Sequence, residues 1–218
     1  MMRMIFVLVT LLFPLPAVGH PHIFVDTGLR AIFDNAGRLT HVEVTWRYDA
    51  FYSLLITEDM GLDSDYDGAL TETEAAQLTG FDMQWIDGFN GDLVLLQAGR
   101  PLALSGPKDP TARLEEGQIV TTHRRAVVNP PIARDAPLSF KAFDPTYYTA
   151  YELNLPVEDL ADVGCRARVK MPVMNAELSN LQAELSALDA QTDPEDVGLP
   201  PNVGEALAAE MVITCAAS

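Results

Sequence analysis

The sequence is short of cations. It carries 14 Lys and Arg against 31 Asp and Glu, a formal net charge of −17. Such a surface repels phosphate backbones and anionic lipid, which excludes a nucleic-acid binder, and it raises the local concentration of cations. Histidine is scarce, four in all, and cysteine scarcer, with Cys165 and Cys215 alone. Neither cysteine belongs to a CxxC pair, so a thiol redox catalyst and a thiolate metal site both lack their second sulfur. No GxSxG elbow and no HExxH run occurs, and hydrolases of those kinds are excluded with them. The chain is read as a non-enzyme.

Long apolar runs are also missing after the first residues. Arg3 precedes the apolar stretch Met4–Phe13, Pro14 and Pro16 break it, and Ala17-Val18-Gly19 offers small residues where a signal peptidase cuts. The stretch is too short for a permanent span, which needs about 20 apolar residues. Residues 1–19 are therefore expected to be a cleavable signal peptide, with His20 as the first residue of a periplasmic protein. No cysteine follows the cut, so a lipid anchor is not expected. Residues 20–218 suffice for one sizeable core and are read as a single domain. In an oxidising compartment Cys165 and Cys215 are expected to pair.

Alternating apolar positions predict a hairpin. Ile23, Val25 and Leu29 lead through Ala31-Ile32-Phe33 to a turn at Asp34–Gly37, and Leu39, Val42, Val44 and Trp46 form the return strand. Residues 50–62 turn helical in spacing, and Leu78, Phe81, Trp85, Ile86 and Phe89 predict a second helix. Strands are expected at 93–96, 101–104, 118–128, 138–143 and 146–155, with short ones at each cysteine. Leu178, Leu181, Leu185 and Leu188 predict an amphipathic helix within 175–190. The expected class is α+β, an antiparallel sheet with an EF-hand-like helix–loop–helix inserted at 51–90 and a C-terminal amphipathic helix.

The inserted loop carries the most specific motif. In the twelve residues Asp63–Glu74, Asp63, Asp65 and Asp67 occupy positions 1, 3 and 5, and Gly68 occupies position 6. A hard cation needs six to eight oxygens, and these carboxylates converge on one point, joined by the Ala69 carbonyl, Thr71 and a bidentate Glu74. A capping box at the start of a helix accounts for Thr71 and Glu74, but not for three spaced aspartates with a glycine. Calcium is the expected ligand. No second loop is present to pair through Leu70, so the site is expected to lock structure rather than sense calcium.

His20-Pro21-His22 would open the processed chain, and the cut frees an α-amine with a pKa of about 7.7–8.0. With His41 on the second strand and His123 on a later one, these nitrogens form a candidate transition-metal set suited to zinc, copper, nickel or cobalt. The square-planar site built on an amine, a deprotonated second amide and a third-position histidine is excluded, because Pro21 has no N–H to lose. A tetrahedral site and a T-shaped one using the amine, His20 and another imidazole both remain. Asp26 or Asp144 completes the shell, or else bonds backbone amides at a strand end.

His20-Pro-His-Ile-Phe-Val-Asp26, Trp46 with Tyr48-Asp49, the Asp63–Glu74 loop, Asp144-Pro-Thr-Tyr147-Tyr148 and a final strand ending at Cys215 resemble a family of uncharacterised bacterial periplasmic proteins. That family is labelled the periplasmic component of an ABC-type transport system and is associated with nickel/cobalt-type permeases. The resemblance implies a partner in the inner membrane, a role in divalent-metal uptake, zinc especially, and His20 and His22 as ligands. No His-rich loop is present to collect many ions.

The leading expectation is a periplasmic accessory protein that binds zinc, nickel or cobalt for such a permease, its scaffold stapled by calcium. A second reading is a calcium-stabilised interaction module docking through Tyr147 and Tyr148, without a transition metal. A third is a copper protein using the free amine and His20.

Overall fold

The computed structural model describes residues 19–189 and 191–216. The expected signal peptide lies outside them, apart from Gly19.

Two five-stranded sheets make the architecture. The first has β1 (Ile23–Phe33), β2 (Leu39–Tyr48), β5 (Lys108–Glu115), β6 (Gln118–Ala126) and β8 (Thr149–Glu152), in the order β5-β6-β2-β1-β8. The second has β3 (Leu93–Gln97), β4 (Arg100–Leu102), β7 (Leu138–Ala142), β9 (Cys165–Lys170) and β10 (Glu210–Cys215), in the order β4-β3-β7-β10-β9. The alternation read in β1 and β2 holds: Val25, Thr27, Leu29 and Ala31, and across from them Val42, Val44, Trp46 and Tyr48, are buried. They share one core with Leu95, Leu138, Phe140, Met211 and Ile213 of the second sheet. The α+β class stands, but with two sheets rather than one. Pairing is antiparallel except between β1 and β8, which run parallel.

Among the described residues there are also four α-helices: α1 (Ala50–Met60), α2 (Glu72–Leu78), α3 (Ala176–Ser186) and α4 (Val203–Leu207). Asp49 starts α1 by accepting the Tyr52 N–H at 2.9 Å, and Gly61, at φ 65°, ends it. This helix turns the usual polarity round. It buries Ser53 and Thr57 and exposes Phe51, Leu54 and Leu55. The Ser53 hydroxyl earns its burial by accepting the Ile119 N–H and donating to the Tyr48 carbonyl.

The helix expected over 78–89 is absent. α2 stops at Leu78, Gly80 takes φ 81°, and the chain continues as turns to β3. The apolar residues at helical spacing are instead loop residues lowered onto the core. Phe81 packs on Tyr48, and Trp85 on Phe89 and His123, with centroids 5.7, 5.4 and 5.6 Å apart. Gly91, at φ 67°, makes this packing work, since a Cβ there would clash with the Trp85 ring. β5 was not expected either. It is a sheet-edge strand, mostly exposed, and contains Pro110, so it shows no alternation to read.

The two cysteines are bonded, Cys165 lying directly across from Cys215 in the β9–β10 pair. Among the described residues no helix is long and apolar enough to cross a membrane.

Candidate metal centres

Between α1 and α2 the chain folds onto its own carboxylates. Asp63, at φ 48°, accepts the N–H groups of Asp67 (3.1 Å) and Gly68 (3.2 Å), and Asp67 accepts that of Ala69 at 2.9 Å. Gly68 takes φ 77° in this turn. One carboxylate oxygen from each of Asp63, Asp65 and Asp67 lies within 4.8 Å of the others. Three like charges so close repel one another, and a bound cation would relieve them. The surrounding sequence supplies none, since no Lys, Arg or His occurs between Arg47 and Arg100.

Glu74 closes the loop from the other end. Its carboxylate accepts the Asp63 N–H at 3.0 Å, the Thr71 N–H at 2.8 Å and the Thr71 hydroxyl at 2.7 Å. These bonds, led by the Thr71 hydroxyl, hold it below the usual carboxylate range. Thr71 returns the contact to the Glu74 N–H, so the capping box is formed.

The histidine corner is built from three distant segments. Asp144 organises the first by accepting the N–H and hydroxyl of Thr146 (2.8 Å each) and the N–H of Thr149 (3.0 Å). Its carboxylate is thus the strand-end clamp weighed above as the alternative to a ligand. The turn presents the Tyr148 carbonyl to the His22 N–H at 2.8 Å. It also sets the Tyr148 ring 4.9 Å from that of His22 and 6.0 Å from that of His20. The segment after α3 supplies the rest: Leu185 O accepts the His20 N–H at 3.2 Å, and Thr192 O lies 3.3 Å from His20 Nε2. The two imidazoles meet edge to face, centroids 4.9 Å apart. His20 is 5 % exposed, and its Nδ1, like Nε2 of His22, is buried without a hydrogen-bond partner. Burial, and then the charge of His20, hold His22 below the ordinary imidazole range, which favours the neutral ring that a metal requires.

The other two histidines lie elsewhere. His41 pairs with Ile32, at the opposite end of the β1–β2 hairpin from His22, about 30 Å away at about 3.3 Å per strand residue. Its Nδ1 meets Thr40 Oγ1 at 3.1 Å. His123 pairs with Val44 in mid-sheet and turns into the core. Asp26 accepts from the Asn154 amide at 3.0 Å.

Comparison with protein families matches residues 5–215 to one described as "Protein of unknown function (DUF1007)". The chain belongs to this family. No curated protein matches it.

This DUF1007 chain also holds a polar interior that sequence reasoning missed. β6 turns Thr121, His123 and Arg125 inward, all at most 4 % exposed, beneath the 79–92 loop. Asp82 of that loop accepts the Tyr48 hydroxyl at 2.9 Å and the Thr121 hydroxyl at 2.8 Å, while its second oxygen is buried without a partner. Burial pushes its carboxyl up. Asp92 accepts the Tyr151 hydroxyl at 2.9 Å and is pushed to about 7, chiefly by burial. Arg125 donates to the carbonyls of Ser105 (2.8 Å) and Asn90 (2.6 Å) and lies 5.0 Å from the Trp85 ring centre. His123 stands edge-on to Trp46 and Trp85, both its nitrogens without partners, and burial, then Arg125, lowers it to about 4. Its ring is neutral at physiological pH. The one available signal was the inward register of Thr121, His123 and Arg125 on a strand flanked by apolar neighbours.

Proposed function

We propose that this is a periplasmic divalent-metal-binding accessory protein for a transition-metal uptake permease, with a scaffold stapled by calcium. The observation that carries the reading is the histidine corner. Two adjoining imidazoles, each with a buried and unpartnered nitrogen, form a donor set of the kind that zinc, nickel, cobalt and copper accept. An unsatisfied buried nitrogen costs about 1–3 kcal/mol, and a metal ion would remove that cost twice over.

The remaining parts follow from the chemistry of each segment. Export through the signal peptide would place the chain in the periplasm, and the disulfide suits an oxidising compartment. The 51–90 insertion acts as a single EF-hand-like unit, in which Asp63, Asp65, Asp67, the Ala69 carbonyl, Thr71 and Glu74 hold calcium. Glu74 would have to leave Thr71 to serve as the bidentate ligand. The amphipathic face of α3, led by the buried Leu185, backs the histidine corner. The inner-membrane nickel/cobalt-type permease comes from the family resemblance, and the acidic surface suits encounter with cations. His41 and His123 are left out of the ligand set because of where their strands put them.

Zinc titration by calorimetry on the processed protein tests the reading. One zinc per chain is expected, lost in His20→Ala and in His22→Ala. Undiminished binding in both variants would contradict it and favour a calcium-stabilised interaction module.

A further inference from the structure

We propose that the metal of the histidine corner is copper, held by three nitrogens: the α-amine and Nδ1 of His20 and Nε2 of His22. This rests on the reading above and on processing before His20.

The tautomer of His20 comes first. A carbonyl oxygen only accepts, so the contact of Nε2 with Thr192 O puts the ring hydrogen on Nε2. A neutral ring so anchored carries its lone pair on Nδ1, the very atom left buried without a partner. Such a second contact orients a ligating imidazole and strengthens it as a donor. Nδ1 and the backbone nitrogen of one histidine can close a single chelate ring on a metal, which Nε2 cannot do.

The third donor is fixed by elimination. Among the described residues, no third His, Cys, Asp or Glu joins His20 and His22 in a group with metal-binding spacing. Two carboxylates lie near and both are engaged: Asp144 accepts three hydrogen bonds in its own turn, and Asp189, which also interacts with His20, accepts the Gln191 N–H at 2.9 Å. Cleavage supplies what the side chains do not. The His20 nitrogen already sits in the corner, donating to Leu185 O. As a neutral amine it keeps one hydrogen for that carbonyl and offers its lone pair to the metal, releasing one proton to solvent if it was charged. Pro21 removes the competing amide-nitrogen site.

Three nitrogens without a fourth protein ligand suit copper better than zinc. Zinc also accepts three protein ligands with a water in the fourth place, so the preference rests on affinity: copper(II) favours tetragonal nitrogen sites and binds most tightly in the divalent series.

The test compares processed protein, its start at His20 verified by mass, with the same protein acetylated on the α-amine at about pH 6.5. There the amine reacts ahead of the lysines, because its pKa is about 7.7–8.0 against about 10.4. Copper(II) is titrated by competition and its electron paramagnetic resonance spectrum recorded, with calcium binding as the control for folding. Coupling to three nitrogens is expected in the unmodified protein. Acetylation should cost about a hundredfold or more in copper affinity, since even a residue supporting a ligand is worth about 10–100-fold. Zinc affinity should fall much less. Unchanged copper affinity and spectrum after acetylation would overturn the three-nitrogen site while leaving the histidine reading intact. Copper and zinc binding that survive both His20→Ala and His22→Ala would overturn the two together.

Discussion

The acidic loop and the histidine corner, the two cation sites proposed above, are built in opposite ways. The loop's donors are carboxylate oxygens, come from twelve consecutive residues and lie mostly in solvent. The corner's donors are nitrogens, lie buried, and are positioned by segments around residues 20–22, 144–149 and 185–192. A local loop can be exposed because its own backbone N–H groups hold the carboxylates in place. The corner needs the packed interior to hold two rings together, and in return its nitrogens are shielded from water. Hard, weakly held ions suit the first arrangement and tightly held nitrogen-seeking ions the second.

The sharpest way to break this comparison is to remove one donor set and watch the other. His22→Ala should cost about a hundredfold or more in transition-metal affinity. Calcium affinity should stay unchanged, as calorimetry with each ion would show. In the reverse direction, Asp63→Asn removes one of the three clustered carboxylates. With about 10 mM calcium and a Kd of about 0.1–1 mM, the ion should stabilise the unmodified protein by about 1.4–2.7 kcal/mol. The variant should lose that increment in thermal melts while retaining zinc.

The interior sharpens the comparison through pH. Asp92 is raised from its ordinary value to about 7. Its contribution to stability is therefore complete at low pH and lost as pH rises through about 7, where the buried carboxyl must ionise. His123, lowered to about 4, contributes in the opposite sense. Its share is present above about 6.5 and lost as pH falls through about 4. Asp92→Asn, which keeps an acceptor for the Tyr151 hydroxyl, should melt with the unmodified protein at about pH 3.5, below the ordinary carboxylate value. At pH 8 it should be more stable, by on the order of 1–3 kcal/mol. Smallest of all, His41→Ala should leave zinc affinity within about twofold, since its strand position is remote from the corner.

Much of the scaffold was legible because it is local. Alternation located β1 and β2, and the leucine spacing located α3. The Asp63–Glu74 pattern located the acidic loop because all its donors are neighbours in the chain. The Phe81, Trp85 and Phe89 spacing misled, since a loop lowered onto a core can space its apolar residues as a helix does. β5 was hidden by its exposure, and the parallel seating of β8 beside β1 by the long connection between them. His20 and His22 were legible as candidates, but the contacts from Tyr148, Leu185 and Thr192 that frame them were not. Asp82, Asp92 and Arg125 gave no warning, because a buried charge looks like a surface charge until the loop over it is placed.

The central claim is that one chain holds two cations at independent and chemically distinct sites. Native mass spectrometry of the processed protein with calcium and zinc added together tests it most directly. The account predicts one calcium and one zinc per chain, with zinc alone disappearing in the His20→Ala/His22→Ala double variant. Competition of both ions for a single site, or zinc retained by the double variant, would contradict it.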